Sequence, residues 1–165
     1  MRTIRSRCLF CWLVVLVFGV AAAPTAQARI IRGNYYQDQT NTIAVAPPTQ
    51  STCENNVTQC FFMFAPVPKG KQLIIDRVTC EVFILALGPE IISASIRSLD
   101  HVTAKLRGDR QYLKPGSNKD GFVVFNEATS HLVLPRDRPI VQIDTTLTDS
   151  IFGRCTIAGQ LTNAN

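Results

Sequence analysis

Residues 72–87, QLIIDRVTCEVFILAL, decide the fold because they form a long run rich in β-branched side chains. Within the run, Val78, Cys80 and Val82 alternate with polar side chains, which is the two-residue period of a strand with one buried face. A Gly-Pro pair follows directly and ends the run. The stretch predicts one long strand with a bend, or two strands, with the thiol of Cys80 facing inward.

The segments around this run repeat the same pattern. Apolar or alternating stretches are separated by turn residues such as Lys69-Gly70-Lys71, and none shows a sustained 3.6-residue period. About eight or nine strands are predicted, which is typical of an all-β antiparallel β-sandwich, with the jelly roll as a candidate topology. The further predicted strands are CFFMFAPV (60–67), IISASIRS (91–98), residues 102–107, YLK (112–114), FVVFN (122–126), HLVLP (131–135), PIVQIDTTL (139–147) and FGRCTIAGQL (152–161), with a short connection at 127–130.

The first 28 residues have the pattern of an export signal. Three arginines and no acid precede an uncharged run, residues 8–23, and Ala26-Gln27-Ala28 then offers a small-x-small cleavage site. The run is shorter than the roughly 20 residues that span a bilayer core. We predict a cleavable signal peptide, which would be the chain's only contact with the membrane, and delivery to the periplasm or the exterior of a bacterial cell.

This signal divides the chain into three parts. Residues 1–28 are the predicted signal peptide, and residues 29–52 are predicted to be a weakly structured N-terminal segment, with a short edge strand at 43–45. Residues 53–165 are predicted to form the disulfide-stabilised β-sandwich domain. The whole chain carries 17 basic and 12 acidic side chains; removal of the three signal arginines leaves 14 against 12, a net charge of +2. That balance, without an aromatic-studded basic motif, argues against nucleic-acid binding.

Four cysteines remain in the predicted mature chain: Cys53, Cys60, Cys80 and Cys155. An even number in an exported protein predicts a disulfide framework. Of the three possible pairings we favour Cys53–Cys60, which closes a short polar loop, and Cys80–Cys155, because both lie on the apolar side of alternating segments. The second bridge is expected to lock the two sheets together from inside. A zinc site is not predicted, because the spacing contains no C-x2-C pair.

Sequence motifs for catalysis are scarce. There is no G-x-S-x-G nucleophile motif, and the only histidines are His101 and His131. Ser130 and His131 are adjacent, so in a strand they point to opposite faces and cannot form a nucleophile–base pair. We predict no catalytic residue, no cofactor and no metal. The alternative is a small exported hydrolase that uses His101 or His131 with a carboxylate.

Paired carboxylates could support a different hydrolysis, that of glycosides, and the candidates for it are Asp76, Glu81 and Asp144. Asp76 has the same parity as Val78, so we expect it to point inward and to pair with Arg136 or Arg138, because a buried acid needs a partner. Asp144 is expected to face solvent.

The predicted binding residues form a basic group around the middle of the chain. Such a group favours an anionic polysaccharide, a lipopolysaccharide phosphate or an acidic partner. We therefore predict a non-catalytic binding or structural role at the cell envelope, with an envelope glycan or another exported protein as partner. The predicted binding residues are Lys105, Arg107, Arg110, Tyr112, Lys114 and Lys119.

Two segments resemble small exported bacterial β-sandwich proteins of uncharacterised activity. The first is PVPKGKQLIIDRVTCEV (66–82), in which a Pro-x-Gly-Lys turn leads into a strand, and the second is LPRDRPIVQI (134–143). The resemblance covers about 100 residues and its motifs are structural. It implies the same fold and bacterial export, and it implies no catalytic residue.

Overall fold

The computed structural model describes residues 29–41, 58–84, 91–116, 118–119, 121–146 and 151–164. All regular structure in this part of the chain is β-strand, and no helix in it is long and apolar enough to cross a membrane. The ten strands are β1 (Ile30–Arg32), β2 (Tyr35–Asn41), β3 (Gln59–Met63), β4 (Lys71–Ile84), β5 (Ile91–Leu99), β6 (Leu106–Leu113), β7 (Asn118–Lys119), β8 (Phe122–Val133), β9 (Arg138–Thr145) and β10 (Ile151–Asn163).

The strands form two antiparallel sheets. The six-stranded sheet has the order β1-β2-β10-β4-β8-β7, and the four-stranded sheet has the order β3-β9-β5-β6. The pairs β2–β10, β3–β9, β4–β8 and β5–β6 are nested, as though one long hairpin had been folded over itself. This is the double-layer arrangement of a jelly roll. The prediction of an all-β antiparallel sandwich is confirmed.

The core lies between the two inner faces and is built by the period-2 alternation of each strand. Burial of one large apolar side chain stabilises the fold by roughly 1.5–3 kcal/mol. The largest fully buried side chains are Tyr36, Phe62, Phe64, Phe125, Leu73, Ile75, Ile96, Ile143, Ile157, Val67, Val78 and Val82.

The described part of the run QLIIDRVTCEVFILAL, residues 72–84, lies in the single strand β4, with the predicted bend. On β10, Gly159 lies opposite Ile75 and Ala158 opposite Arg77, so the register shifts between them and Asp76 is left over as a bulge. The bulge turns Asp76 outward, where it is exposed. The inward orientation predicted for Asp76 is therefore wrong, because parity fails across a bulge.

Gly159 marks the same irregularity on the neighbouring strand. A Cβ atom at this position would stand 2.1 Å from the carbonyl oxygen of Ile74. No side chain fits there without moving the backbone of β4. Glycine is therefore required where β10 passes the bulge.

The predicted disulfide between Cys80 and Cys155 is present, with 4.1 Å between the Cα atoms. The two residues lie directly opposite each other on β4 and β10, which are neighbours in the six-stranded sheet. The bridge therefore fastens two strands of one sheet, and the expected lock between the sheets is wrong. Cys60 is buried in β3 and is disulfide-bonded, whereas Cys53 lies outside the described residues.

The N-terminal segment 29–52 is not weakly structured over its first half. β1 and β2 belong to the six-stranded sheet, and Tyr36 and Asp38 on the inner side of β2 are both 0% exposed. The prediction failed because the inner residues of β2 include an acid and a threonine, so the strand has no apolar alternation. The predicted edge strand at 43–45 and the signal peptide, residues 1–28, lie outside the described residues.

Two shorter predictions are also wrong. Residues 101–103 form a turn rather than a strand, because the Asp100 carboxylate accepts hydrogen bonds from the backbone N–H groups of Val102 (2.9 Å) and Thr103 (2.8 Å). The expected connection at 127–130 is part of β8, where the Thr129 hydroxyl donates to the Ile75 carbonyl (2.7 Å). The turn at Lys69-Gly70 is confirmed, with Gly70 at φ +75°.

Candidate functional site

The outer side of the four-stranded sheet carries a connected group of polar side chains. On β5, Ala94 and Ile96 point into the core, so Ser93, Ser95 and Arg97 must point outward. In the neighbouring strands β9 and β6, the residues paired with these positions also point outward. We call this group the polar face: Ser93, Ser95, Arg97, Arg110, Tyr112, Gln142 and Asp144.

Arg110 is the centre of the polar face. Its Nε donates to the Ser95 hydroxyl (3.1 Å), and its Nη2 donates to Ser93 Oγ (3.1 Å) and Asp144 Oδ2 (3.1 Å). Its guanidinium carbon also lies 4.5 Å from the ring centroid of Tyr112, within cation–π distance. Arg110 is therefore held along the sheet surface beside an aromatic ring that is 65% exposed.

The rest of the polar face is tied together around Gln142. Its amide nitrogen donates to Asp144 Oδ1 (2.6 Å), and its amide oxygen accepts from Nη1 of Arg97 (3.0 Å). Ser95 and Gln142 are 0% and 3% exposed although they lie on the outer side of a sheet. Asp144 lies on the outer side of the sheet, as expected, but its side chain is only 18% exposed. Its charge is taken up by the neighbouring donors.

One donor of the polar face has no protein acceptor in the described part of the chain. The Nε of Arg97 is buried and makes no hydrogen bond there, although Nη2 of the same side chain donates to the Arg107 carbonyl (3.2 Å). Buried donors are rarely left unpaired in proteins. Arg97 is therefore held in place by the hydrogen bonds of Nη1 and Nη2, although its Nε donor is not hydrogen-bonded to the described residues.

A second cluster lies at the end of the sandwich, around Asp137. This carboxylate is 0% exposed and accepts hydrogen bonds from Arg107 Nε (2.5 Å), His101 Nδ1 (3.0 Å) and the His101 backbone N–H (3.1 Å). Burial alone would raise the pKa of Asp137, but the hydrogen bonds from Arg107 and His101 outweigh it and lower the pKa. Arg107 also pairs with Asp100 (2.8 Å). The cluster is a closed ion-pair network that anchors the turn before β6.

Arg136 helps to place that carboxylate. It adopts a left-handed backbone with φ 69°, and its N–H donates to the Val67 carbonyl (2.9 Å). The conformation is uncommon for a side chain with a Cβ. The turn directs Asp137 inward. The buried acid is therefore Asp137 rather than Asp76, and its partners are Arg107 and His101 rather than the expected Arg136 or Arg138.

His131 has the surroundings of a structural histidine rather than of a general base. Ser98 Oγ lies 3.0 Å from its Nε2, and Asp109 Oδ2 lies 3.7 Å from the same nitrogen. A nucleophile–base–acid triad needs the serine and the acid on different ring nitrogens. Ser98 is 0% exposed and His131 is 5% exposed. Burial lowers the pKa of His131, against the opposing effect of Asp109, which favours the neutral imidazole.

An open groove of about 510 Å³ runs past His131, between β6 and β8. Gln111 bridges it, since its side-chain oxygen accepts a hydrogen bond from the backbone N–H of Ser130 (3.2 Å). Ser98 does not line this groove. The groove therefore gives access to the edge of His131 but not to the hydroxyl that a hydrolase of this design would need.

The structure brings together two of the six predicted binding residues. Arg110 and Tyr112 are neighbours on the polar face, whereas Arg107 is turned into the Asp137 cluster. Lys105 and Lys114 are exposed just before and just after β6. Lys119 belongs to β7 in the other sheet. The cations therefore do not form one continuous patch.

Sequence reasoning missed the residues that hold Arg110 in place. Ser93 and Ser95, which bind Arg110, carry no motif, and neither does Gln142. Arg97 stood outside the basic group. A usable signal was the shared parity of Ser93, Ser95 and Arg97 on one strand. The strand pairing that brings this parity beside Gln142 is visible only in the structure.

Within the described ranges, no three His, Cys, Asp or Glu side chains converge as they would to hold a metal ion. Comparison with known proteins supplies no assignment: no protein-family model matches this chain, and neither does any curated protein. The function is therefore argued from the polar face and from the chemistry of its side chains.

Proposed function

We propose that the protein is an exported, non-catalytic binding module of the bacterial cell envelope that holds an anionic polysaccharide on its polar face. The observation that carries this proposal is Arg110. Three hydrogen bonds fix this arginine along the sheet surface, beside the exposed ring of Tyr112.

The chemistry of the polar face suits an acidic sugar. An aromatic ring offers a flat apolar surface to the C–H face of a pyranose, and a guanidinium donates paired hydrogen bonds to a carboxylate or phosphate. The face carries two arginines, Arg97 and Arg110, against the single acid Asp144, so its net charge favours an anion. Lys114 is exposed just beyond Tyr112 and adds to that charge.

The fixed geometry favours binding as well. A mobile arginine loses roughly 1.5–2 kcal/mol of side-chain entropy when a ligand immobilises it. Arg110 is already immobilised by Ser93, Ser95 and Asp144. The entropy of the Arg110 side chain is therefore already lost when the protein folds. A larger share of the free energy of its contacts with a ligand then contributes to affinity.

The export part of the proposal has separate support. Structural disulfides form and persist mainly in oxidising compartments, and Cys80–Cys155 is fully buried. The first 28 residues carry the pattern of a signal peptide. Jelly rolls also occur among lectin domains, although a fold by itself does not assign a function.

Two contacts bear on the competing proposal, a hydrolase that uses His101 or His131 with a carboxylate. His101 Nδ1 lies 3.0 Å from Asp137 Oδ1, and Ser98 Oγ lies 3.0 Å from His131 Nε2. The hydrolase proposal predicts that the purified chain releases reducing ends from a polysaccharide and that Ser98→Ala abolishes this release. The binding proposal predicts no release from any polysaccharide that binds. Release that depends on Ser98 would overturn the binding proposal's non-catalytic part.

The binding proposal is tested by calorimetric titration with polygalacturonate, a carboxylated polysaccharide, and with neutral dextran. We expect polygalacturonate alone to bind, with an affinity that falls as salt is added. Tyr112→Ala should weaken binding about tenfold or more, the equivalent of about 1.4 kcal/mol. The matched control is Tyr35→Ala, because Tyr35 is 45% exposed on the other sheet. Equal losses in both variants, or no binding to polygalacturonate, would overturn the proposal.

A further inference from the structure

The outer side of the six-stranded sheet carries a row of three phenylalanines. Phe152 lies directly opposite Phe83, and Phe83 lies directly opposite Phe122, on the adjacent strands β10, β4 and β8. Their exposed fractions are 41%, 41% and 42%. We call them the phenylalanine row. Single exposed apolar residues are common on protein surfaces, whereas a contiguous exposed patch marks an interaction site.

The row faces outward because the neighbouring positions are needed inside. Val82 and Val123, each one residue away from a phenylalanine of the row, are 0% and 2% exposed in the core. Successive strand residues point to opposite sides, so Phe83 and Phe122 are directed to solvent. Fold stability does not require aromatic side chains at these outward positions.

A balanced ion pair lies beside the row. Nε and Nη2 of Arg154 lie 2.7 and 2.6 Å from Oε2 of Glu81. The two side chains are 59% and 38% exposed, respectively. Together with the row they border a shallow groove of about 380 Å³. The next outward pair along the same strands is Thr79 and Thr156. Their short side chains project little above the sheet.

We propose that this face binds a second copy of the chain, with a two-fold axis that runs parallel to the strands between β4 and β10. Such an axis places Phe83 against Phe152 of the partner subunit. It also places Glu81 against Arg154 of the partner subunit. A surface with one cation and one anion on either side of a two-fold axis is complementary to itself.

The same charges argue against other occupants. A negatively charged membrane surface gains nothing from a patch whose cation is balanced by an acid, and a strongly charged partner would meet a repulsive group. Two sheets pack face to face when low side chains let them approach to about 10 Å, which the threonine pair allows.

The dimer does not depend on the proposed polysaccharide binding, because the polar face belongs to the other sheet. It does add to it. Two polar faces on opposite outer surfaces of one dimer would bind one long polymer with avidity, or would cross-link two polymers. Failure of either proposal leaves the other intact.

The experiment is analytical ultracentrifugation of the purified chain from micromolar to millimolar concentration. We expect a monomer–dimer equilibrium. Glu81→Arg alone and Arg154→Glu alone should each be monomeric, because each places like charges across the axis. An equimolar mixture of the two variants should associate again, since every cation then faces an anion. Loss of the ion pair within one subunit cannot explain recovery on mixing.

Two further variants test the row itself. Phe83→Ser with Phe152→Ser should abolish association while the far-UV circular dichroism stays native. Val102→Ser removes an apolar side chain that is 78% exposed in a turn of the other layer, and it should leave association unchanged. A wild-type chain that stays monomeric throughout, or a variant mixture that does not associate, overturns the proposal. A third result would also overturn the proposal: the wild-type monomer binds phosphatidylcholine vesicles, and the phenylalanine variant does not. The row would then be a membrane contact.

Discussion

The outer faces of the two sheets differ in the side chains that they expose. On the four-stranded sheet, polar side chains are tied to one another so closely that Ser95 and Gln142 are almost fully buried without a layer above them. On the six-stranded sheet, three phenylalanines lie exposed in one row. In the proposed function the first face binds the acidic sugars of a polysaccharide, because its donors are already fixed. The second has apolar surface that only a large partner can bury.

The sheets also differ in what holds them together. The six-stranded sheet has a covalent link beneath its outer face, between Cys80 on β4 and Cys155 on β10. In the four-stranded sheet, β5, β6 and β9 are cross-linked by side-chain hydrogen bonds, and Arg107 on β6 is fixed by Asp137. We therefore expect loss of the Cys80–Cys155 bridge to weaken the six-stranded sheet and loss of the Asp137 charge to weaken the attachment of β6.

The largest effect is expected from removal of the bridge beneath the six-stranded sheet. Replacement of both Cys80 and Cys155 by serine should lower the free energy of unfolding by about 4 kcal/mol, since the bridge closes a long loop in the unfolded chain. Urea denaturation followed by circular dichroism measures this. Binding of polygalacturonate by the folded fraction should be unchanged. A loss below about 1 kcal/mol would show that the bridge does not fix the sheet.

The next effect concerns the Asp137 cluster. Asp137→Asn should lower the free energy of unfolding at neutral pH by about 3 kcal/mol, because Arg107 and His101 lose a buried charged acceptor. The matched control is Asp144→Asn, whose partly exposed side chain should cost less stability. If the two variants lose equal stability, the distinction between a structural cluster and a binding face fails.

The lowered pKa of Asp137 adds an acid dependence to that prediction. Its stabilising effect is fully present above the unfolded-state pKa of about 3.9 and is lost as the pH falls through the lower folded-state value. Wild-type protein should therefore lose stability on acidification over this window, and Asp137→Asn should lose less. Thermal unfolding at a series of acidic pH values measures the difference.

A smaller effect separates two arginines with similar ion pairs. Arg110→Gln should weaken polygalacturonate binding about tenfold, because it removes the charged donor of the polar face. Arg154→Gln removes an equally paired arginine from the other sheet and should leave that binding unchanged. A loss in both variants would mean that the polysaccharide responds only to net charge.

The smallest effect is a pH dependence near neutrality. His131 has a lowered pKa in the folded state, so below the unfolded-state value of about 6.5 the unfolded chain binds the additional proton. Stability should therefore fall as the pH drops from 7 through 6, and His131→Gln should flatten this slope. A slope of the opposite sign would show that His131 is charged in the fold and paired with Asp109.

The outcome of the sequence analysis follows a physical rule. Strands with apolar alternation, such as those around Cys80 and Cys155, were predicted with their faces correct. β2 was not, because Asp38 and Thr40 take inner positions that normally carry apolar side chains. The prediction for Asp76 failed for a different reason, since a bulge reverses parity and no residue of β4 itself marks the bulge. The alternation of residues along a strand predicts which side chains are buried only where the inner residues are apolar and the strand pairing contains no bulge.

The candidate site was harder to predict than the fold. Arg110 and Tyr112 were predicted from local charge density, but the same argument included Arg107, which a carboxylate 30 positions away in sequence has taken up. The residues that fix Arg110 come from β5 and β9. Strand order therefore decides which of the basic side chains lie on the polar face and which are used in the Asp137 cluster. Composition does not give the strand order.

The most direct test of this account is a titration of ¹⁵N-labelled protein with polygalacturonate, followed by two-dimensional NMR. The account predicts chemical-shift changes confined to residues 93–97, 110–114 and 140–144, with no change at Phe83, Phe122 or Phe152. Changes centred on the phenylalanine row, or changes spread evenly over both sheets, would contradict it.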